Sequence, residues 1–130
     1  MNLQLANWRV YEFQITEKEE IDPNDGQFNL DYTTYAGDKE NEFFVKFEMN
    51  IVDPRYTFYL VIAYRFTTDE KVTDEFLKGE FANQNAPAIA FPYVRAYISN
   101  VTLQSGFHPV ILPSVNFVRL YKKKIAEETN

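Results

Sequence analysis

The hydrophobic pattern in the middle of the chain predicts a β-hairpin. Between residues 43 and 52, apolar residues alternate with mostly polar ones, and this period of two is typical of a half-buried strand. The alternation resumes at Tyr56 and continues to Thr67. Asp53, Pro54 and Arg55 separate the two segments and have the composition of a tight turn. The two segments are therefore expected to pair as antiparallel strands.

Two earlier segments have a similar pattern. The first contains Tyr11, Phe13 and Ile15, and the second contains Phe28, Leu30 and Tyr32. An acidic, turn-rich connection, EKEEIDPNDG, lies between them and is long for a simple hairpin loop. Two further strands joined by a crossing loop are therefore expected.

From Thr73 onward the pattern favours helices. A short helical turn is expected around residues 73–77, with Gly79 as an interruption. A long helix should follow, with Pro87 in its first turn, a kink or local restart at Pro92, and a stop at Gly106. A last helix is expected to begin near Ser114 or Val115.

The long helix is apolar almost all round. At 100° per residue its apolar side chains fall on two nearly opposite faces, Ile89, Tyr93, Ala96 and Tyr97 on one and Phe91, Val94, Ile98 and Val101 on the other. Such a helix is buried between two layers, and a chain of this size offers one sheet. The second layer is therefore predicted to be another subunit.

The segment FHPVILPSVNF, residues 107–117, raises a separate question. Pro109 and Pro113 exclude a helix or a central strand there, so a stiff extended loop is expected. Loops run over the surface, yet this one is mainly apolar. It is either a lid packed on the protein or a surface that binds something apolar.

Composition narrows the classes of function. The 130 residues fit one domain spanning 1–130, and 45% hydrophobic with 25% charged residues is typical of a globular protein. No stretch reaches the roughly 18 to 20 apolar residues of a membrane span. The opening residues lack the pattern of a secretory signal, so a cytoplasmic protein without membrane insertion is expected.

The net charge and the scarcity of cysteine and histidine argue against further classes of function. The net charge of −6 argues against a nucleic-acid partner, which would need clustered Lys and Arg. The chain has no cysteine and a single histidine, His108, which leaves little for a metal site or a nucleophilic enzyme. No metal, cofactor or catalytic residue is therefore predicted. The aromatic fraction of 17% instead favours contact surfaces.

Two blocks in the C-terminal half resemble the SecB family of bacterial protein-export chaperones. NAPAIAFPYVRAYISN is similar to the family's FPYAR-type helix, through Phe91, Pro92, Tyr93 and Arg95. GFHPVILPSVNFVRLY is similar to its glycine-phenylalanine-proline loop and the entry into the last helix. His108 and Ala96 depart from the family pattern, where a proline and an acidic residue are usual.

The resemblance implies an α+β protomer in which two main C-terminal helices pack on a four-stranded antiparallel sheet. Strands are then expected over about residues 3–67 and helices over about 73–126, with protomers assembled as a dimer of dimers. The FPYAR-type helix would lie between dimers. The implied interface residues are Phe91, Tyr93, Val94, Tyr97, Ile98 and Val101.

The activity that the resemblance implies is ATP-independent holding of non-native polypeptides or preproteins, for protein export, in hydrophobic grooves framed by residues 20–30 and 105–114. The implied client-contacting residues are Phe13, Ile15, Phe28, Leu30, Tyr32, Phe107, Val110, Ile111, Leu112, Val115 and Phe117. Acidic side chains that could dock the motor SecA are Glu17, Glu19 and Glu20. The alternatives are a dedicated chaperone of one partner, such as an antitoxin, and an enzyme with a closed polar pocket.

Overall fold

The chain contains a four-stranded antiparallel sheet followed by helices, in a computed structural model that describes residues 2–129. It divides into two compact units, the first ending at Thr73 and the second beginning at Asp74. The expectation of one domain over 1–130 stays a prediction. Among residues 2–129, every helix is too short or too polar to cross a membrane.

The four strands confirm the predicted segments and extend the first of them. They are β1 Leu3–Glu17, β2 Gln27–Ala36, β3 Glu42–Val52 and β4 Tyr56–Thr68, in the spatial order β1-β4-β3-β2. The predicted crossing loop, residues 18–26, carries the chain between the two edge strands. Its Lys18 amide donates to the Arg55 carbonyl at 2.8 Å, and its Asp22 amide donates to the Pro54 carbonyl at 3.1 Å.

The predicted hairpin of β3 and β4 forms the centre of the sheet. The odd-numbered residues of β3 pair with even-numbered residues of β4, so their side chains share one face. On that face Phe43 stacks on Phe66 at a centroid distance of 5.4 Å, and Phe47 meets Tyr64 edge-on at 5.9 Å. These four rings are buried, which confirms the alternation as the signature of a core strand.

Two β-bulges change the phase of β1. The register against β4 shifts between Leu5 and Asn7 and again between Val10 and Glu12. Tyr11 therefore does not share the environment of Phe13, although the simple alternation groups them. Tyr11 is exposed, whereas Phe13 is half-buried and meets Phe58 edge-on at 5.2 Å.

The second unit is helical. It contains α1 Asp74–Lys78, a π-helical turn Phe81–Asn85, α2 Ala86–Gln104 and α3 Phe117–Thr129. The Asn83 side-chain amide donates to the carbonyls of Leu77 at 2.7 Å and Gly79 at 2.9 Å, which satisfies backbone acceptors left at the end of α1. Pro87 lies in the first turn of α2, as predicted, but α2 runs through Pro92 as one helix and does not restart there.

The predicted start of the last helix was wrong by two to three residues, because α3 begins at Phe117 and not at Ser114 or Val115. The physical reason is the cap. The Asn116 side-chain oxygen accepts the Arg119 amide at 3.1 Å, the bond of a helix N-cap. This confirms the structural role that Asn116 was expected to have.

The predicted stop of α2 at Gly106 is confirmed as a Schellman motif. Gly106 has φ of 91°, its amide donates to the Leu103 carbonyl at 3.1 Å, and the Phe107 amide donates to the Thr102 carbonyl at 3.0 Å. Glycine is the residue that adopts this left-handed conformation at low cost. Residues 107–116 follow this turn.

Candidate functional site

Residues 107–116, the loop segment, have no regular secondary structure and are fixed to α2 by hydrogen bonds. The Ser99 hydroxyl donates to the Val110 carbonyl at 2.6 Å, and the Val110 amide donates to the Thr102 hydroxyl oxygen at 3.1 Å. Thr102 is fully buried and donates in turn to the Ile98 carbonyl at 2.8 Å. The loop segment therefore has a defined position beside the helix.

The anchored loop segment turns neighbouring apolar side chains in opposite directions. Leu112 is only 4% exposed, whereas Ile111 is 83% exposed. Phe107, Val110 and Val115 are half-buried, and His108 is a surface residue, as predicted. The loop is thus both a packed lid, through Leu112, and an exposed apolar surface, through Ile111.

Two hollows lie along the side of α2 that faces the loop segment. The first has a volume of about 210 Å³ and is lined by Pro92, Arg95, Ala96, Ser99, Ile111 and Leu112. The second has a volume of about 160 Å³ and is lined by Ala88, Phe91, Pro92, Arg95, Ser114, Val115 and Phe117. Because the hollows share Pro92 and Arg95, they are adjacent, and together they are called the helix–loop groove.

Phe91 and Phe117 close one end of the helix–loop groove. Their rings meet edge-on at a centroid distance of 5.5 Å, and each is 4% exposed. This geometry is favourable for two aromatic rings. Among the predicted client contacts of the loop, the structure therefore brings Ile111, Leu112, Val115 and Phe117 together in one groove. Pro92 and Arg95, which the site prediction missed, lie at the centre of that groove although both belong to the quoted FPYVR block.

The predicted client contacts on the sheet share one face of it. Phe13 and Ile15 pair with Leu60 and Phe58 of β4, and Phe28 and Leu30 pair with Ile51 and Met49 of β3. These four side chains are half-buried, so their role as client contacts stays a prediction. Tyr32 differs, because it is 2% exposed and packs near Phe47 at 6.4 Å. It belongs to the sheet core and offers almost no surface to a client.

The predicted interface residues of α2 divide by exposure. Phe91, Val94 and Ile98 are buried within the chain, so their side chains have almost no surface to offer a partner. Tyr97 and Val101 are half-buried, and burial raises the pKa of the Tyr97 phenol.

Another line of α2 side chains is exposed, and the interface prediction named only one of them. Ile89, Tyr93 and Leu103 are 40%, 48% and 57% exposed, and they share one face of the helix. They are called the outer α2 stripe. The helical projection of the sequence already places Ile89 and Tyr93 on one face, but it does not show which face of α2 is exposed.

The acidic residues predicted to dock a motor are exposed. Glu17 ends β1, and Glu19 and Glu20 follow it in the crossing loop. Their docking role stays a prediction. No group of three or more His, Asp or Glu side chains in residues 2–129 is arranged so that it could hold a metal ion.

A comparison with protein families establishes the relationship. The family profile described as preprotein translocase subunit SecB matches residues 13–128, which include the end of β1, all of β2, β3 and β4, α2, the loop segment and nearly all of α3. The chain belongs to the SecB family. This confirms the resemblance inferred from the two C-terminal sequence blocks.

Individual relatives agree with this assignment. The protein-export protein SecB of Anaplasma phagocytophilum is 44% identical over 46 residues, which cover 35% of this chain and 29% of that protein. The protein-export protein SecB of Dinoroseobacter shibae is 33% identical over 105 residues, which cover 77% of this chain and 60% of that protein. The chain therefore spans less than two thirds of the length of these relatives.

A solved structure shows the same fold. The SecB-like chaperone of Mycobacterium tuberculosis, in complex with a peptide from the HigA1 antitoxin, is similar with a TM-score of 0.70. The sequence identity is 17%, and the similarity covers 88% of this chain and 90% of that one. The predicted fold class, a four-stranded antiparallel sheet with C-terminal helices of the SecB type, is confirmed.

Proposed function

We propose that this protein is a holdase that binds non-native polypeptide segments in the helix–loop groove without ATP and without a catalytic step. The observation that carries the proposal is Ile111, which is 83% exposed on a loop that Ser99 and Thr102 hold in place. An anchored apolar side chain that faces solvent is a surface ready for contact with another apolar group.

The composition of the groove suits a client that is recognised by its hydrophobicity. Its lining is mainly aliphatic, aromatic and proline side chains, and unfolded chains share apolar side chains whatever their sequence. Burying one side chain of the size of Ile111 contributes about 1.5–3 kcal/mol. Association alone costs about 4–15 kcal/mol, so one contact is insufficient. Several grooves acting on one client would supply the difference through avidity.

Ile111→Asp is expected to weaken holding roughly tenfold, measured as the concentration of protein that halves the aggregation of a chemically denatured, unrelated protein in the absence of ATP. The variant removes an apolar contact of at least 1.4 kcal/mol and places a carboxylate against an apolar client. Because Ile111 is 83% exposed, the fold should tolerate the change.

Ile125→Asp is the matched control. It makes the same substitution at a 40% exposed isoleucine of α3 that does not line the groove. We expect it to suppress aggregation as well as the parent chain. If both variants lose aggregation suppression equally, or if neither loses it, the groove has no part in the mechanism.

We propose that the protein serves protein export in the cytoplasm and assembles as a dimer of dimers through the outer α2 stripe. The support is membership of the SecB family and an exposed apolar line on a helix that contains no acidic residue. Native mass spectrometry should find four chains, and Tyr93→Asp should lower the mass to that of a smaller species. A four-chain particle in this variant would exclude the stripe from the interface.

The alternative proposal is a dedicated chaperone of one partner, such as an antitoxin. It is favoured by the fold shared with the M. tuberculosis chaperone, which was solved with an antitoxin peptide. A dedicated chaperone would hold generic denatured clients poorly and would be encoded beside its partner. Delivery of clients to SecA belongs to the export proposal, and binding of purified SecA to the loaded protein would separate the two.

A further inference from the structure

The face of the sheet opposite the buried rings carries a separate hollow. It has a volume of about 260 Å³ and is called the sheet pocket. Its lining residues come from β1, β3 and β4 and are Asn7, Trp8, Arg9, Tyr11, Phe44, Ala63 and Arg65. Phe44 and Arg65 pair across the strands next to the stacked Phe43 and Phe66, so they point to the other face. The pocket lies wholly within the first compact unit and shares no lining residue with the helix–loop groove.

Ala63 forms the floor of the sheet pocket. It pairs with Arg9 of β1 and with Lys46 of β3, and its methyl group is far shorter than either neighbouring side chain. Ala63 is only 2% exposed, because the longer side chains around it stand above it. A short side chain among long ones leaves a depression in the surface of the sheet.

Tyr11 and Tyr35 form an aromatic wall beside this floor. The bulge between Val10 and Glu12 brings Tyr11 to this face, and re-aiming a side chain is a common use of a bulge. A hydrogen bond joins the side chains of Tyr11 and Tyr35, which extend toward each other from the two edge strands. Tyr35 in turn stacks on Phe44 at a centroid distance of 5.1 Å and an interplanar angle of 15°. The Tyr11 ring is therefore held in place through Tyr35.

Arg65 is fixed in the sheet pocket by two hydrogen bonds. Its Nη1 donates to the Glu42 carboxylate at 2.9 Å, and its Nε donates to the Asn7 side-chain oxygen at 3.1 Å. Glu42 is buried and Arg65 is half-buried, so this ion pair is largely removed from water. The guanidinium group consequently has a defined position in the pocket wall.

The sheet pocket has a surplus of positive charge, in a chain whose net charge is −6. Two guanidinium groups line it, and Glu42 neutralises that of Arg65. Arg9 forms no ion pair within residues 2–129. Glu12 and Glu48 lie in the next cross-strand row of this face, and neither lines the pocket. The pocket is therefore complementary to a ligand that carries one negative charge.

We propose that the sheet pocket binds an aromatic carboxylate, with the ring against Tyr11 and Phe44 and the carboxylate on the two arginines. A cavity of about 150 Å³ is sufficient for benzene, so the pocket has room for one ring and a short acidic chain. Aromatic rings pack favourably on one another, and a guanidinium can bind both oxygens of a carboxylate. The ligand is either a free aromatic acid or the C-terminal aromatic residue of a polypeptide.

Titration of the full chain with phenylacetate tests the proposal. Trp8 lines the pocket and is the only tryptophan, so its fluorescence reports binding there. We expect phenylacetate to bind about tenfold more tightly than phenylacetamide, which lacks the charge, or acetate, which lacks the ring. The preference over phenylacetamide should shrink as salt is added.

A short peptide that ends in phenylalanine with a free carboxylate distinguishes the two sources of the ligand. If it binds as tightly as phenylacetate, the end of a polypeptide fits the pocket. If only phenylacetate binds, the ligand is a small molecule. The same peptide with a C-terminal amide is the control and should bind as weakly as phenylacetamide.

Arg9→Gln should weaken the binding of phenylacetate about tenfold and leave that of phenylacetamide unchanged. Arg9→Lys should restore part of the loss because the positive charge returns. Arg55→Gln is the matched control, since Arg55 is an exposed arginine of the β3–β4 turn that does not line the pocket. It should bind phenylacetate like the parent chain. Circular dichroism of each variant verifies that the fold is retained.

Three outcomes would overturn this inference. They are an unchanged Trp8 emission at millimolar phenylacetate, equal affinities for phenylacetate and phenylacetamide, and full phenylacetate binding by Arg9→Gln. If Arg9→Gln instead lowers the native mass of the particle, Arg9 belongs to a contact between copies, and the proposal fails. Aggregation suppression tests the helix–loop groove separately, because Arg9 does not line that groove.

Discussion

Phe117→Ala is expected to lower the free energy of unfolding by about 3–5 kcal/mol. Phe117 is 4% exposed, begins α3 and packs edge-on against Phe91 at 5.5 Å. Its removal leaves a cavity beside α2 and deletes one wall of the helix–loop groove. Urea titration followed by far-UV circular dichroism, at one fixed protein concentration, measures the change.

Val118→Ala is the neighbouring control for this prediction. Val118 is 41% exposed, so its truncation should change the free energy of unfolding by about 0.5 kcal/mol or less. The packing described for the start of α3 would be contradicted by a Phe117 variant that is no less stable than the Val118 variant.

Leu112→Asp is expected to destabilise the protein by about 3–5 kcal/mol or to release the loop segment from α2. Leu112 is 4% exposed and lines a hollow whose only charged group is Arg95, so the new carboxylate would be buried among mainly apolar neighbours. Denaturant titration gives the stability. Limited proteolysis within residues 107–116 reports release of the loop.

Two further substitutions, one at Leu112 and one at its neighbour, test whether the destabilisation arises from burial of Leu112 or from any change in this part of the loop. Leu112→Met keeps the volume and should cost less than about 1.5 kcal/mol. Ile111→Asp makes the same apolar-to-acidic change one residue away and should cost about 0.5 kcal/mol or less, because Ile111 faces solvent. Equal stability of the Leu112→Asp and Ile111→Asp variants would contradict the description of Leu112 as buried and Ile111 as exposed.

The central hairpin could be predicted because each local signal agrees with the fold. Phe47 and Met49 alternate with polar residues, and Asp53-Pro54 marks the turn between the strands. The Arg55 amide bonds the Asp53 carboxylate at 3.0 Å, which is the turn chemistry that the residue types suggest. The alternating pattern and the turn both depend on residues that are close together in the chain. The sequence alone is therefore sufficient to predict this hairpin.

The bulges of β1 could not be predicted in this way. The register shift that separates Val10 from Glu12 leaves Tyr11 exposed, and no glycine marks the position. The pairing with β4 decides the phase, and β4 is distant in the sequence. Likewise, the residue types of the π-helical turn at Phe81–Asn85 do not distinguish it from an ordinary α-helical turn.

The candidate site was partly predictable. The prolines and apolar residues of the loop segment identified it as unusual, and the structure places Ile111, Leu112, Val115 and Phe117 on one groove. The sequence could not say that Ile111 is exposed and Leu112 buried, because a loop has no period. For α2, apolar on every side, it could not say that Val94 faces the interior and Tyr93 the solvent.

The most direct test of client binding in the helix–loop groove is site-specific photo-crosslinking of a denatured client from position 111. A photoreactive phenylalanine analogue replaces Ile111 in one sample and Ile125 in another, and each is illuminated with the same unfolded polypeptide in the absence of ATP. We expect an abundant chain–client adduct from position 111 and little from position 125. Adducts of equal yield from the two positions, or none from position 111, would contradict a client-binding groove between α2 and the loop segment.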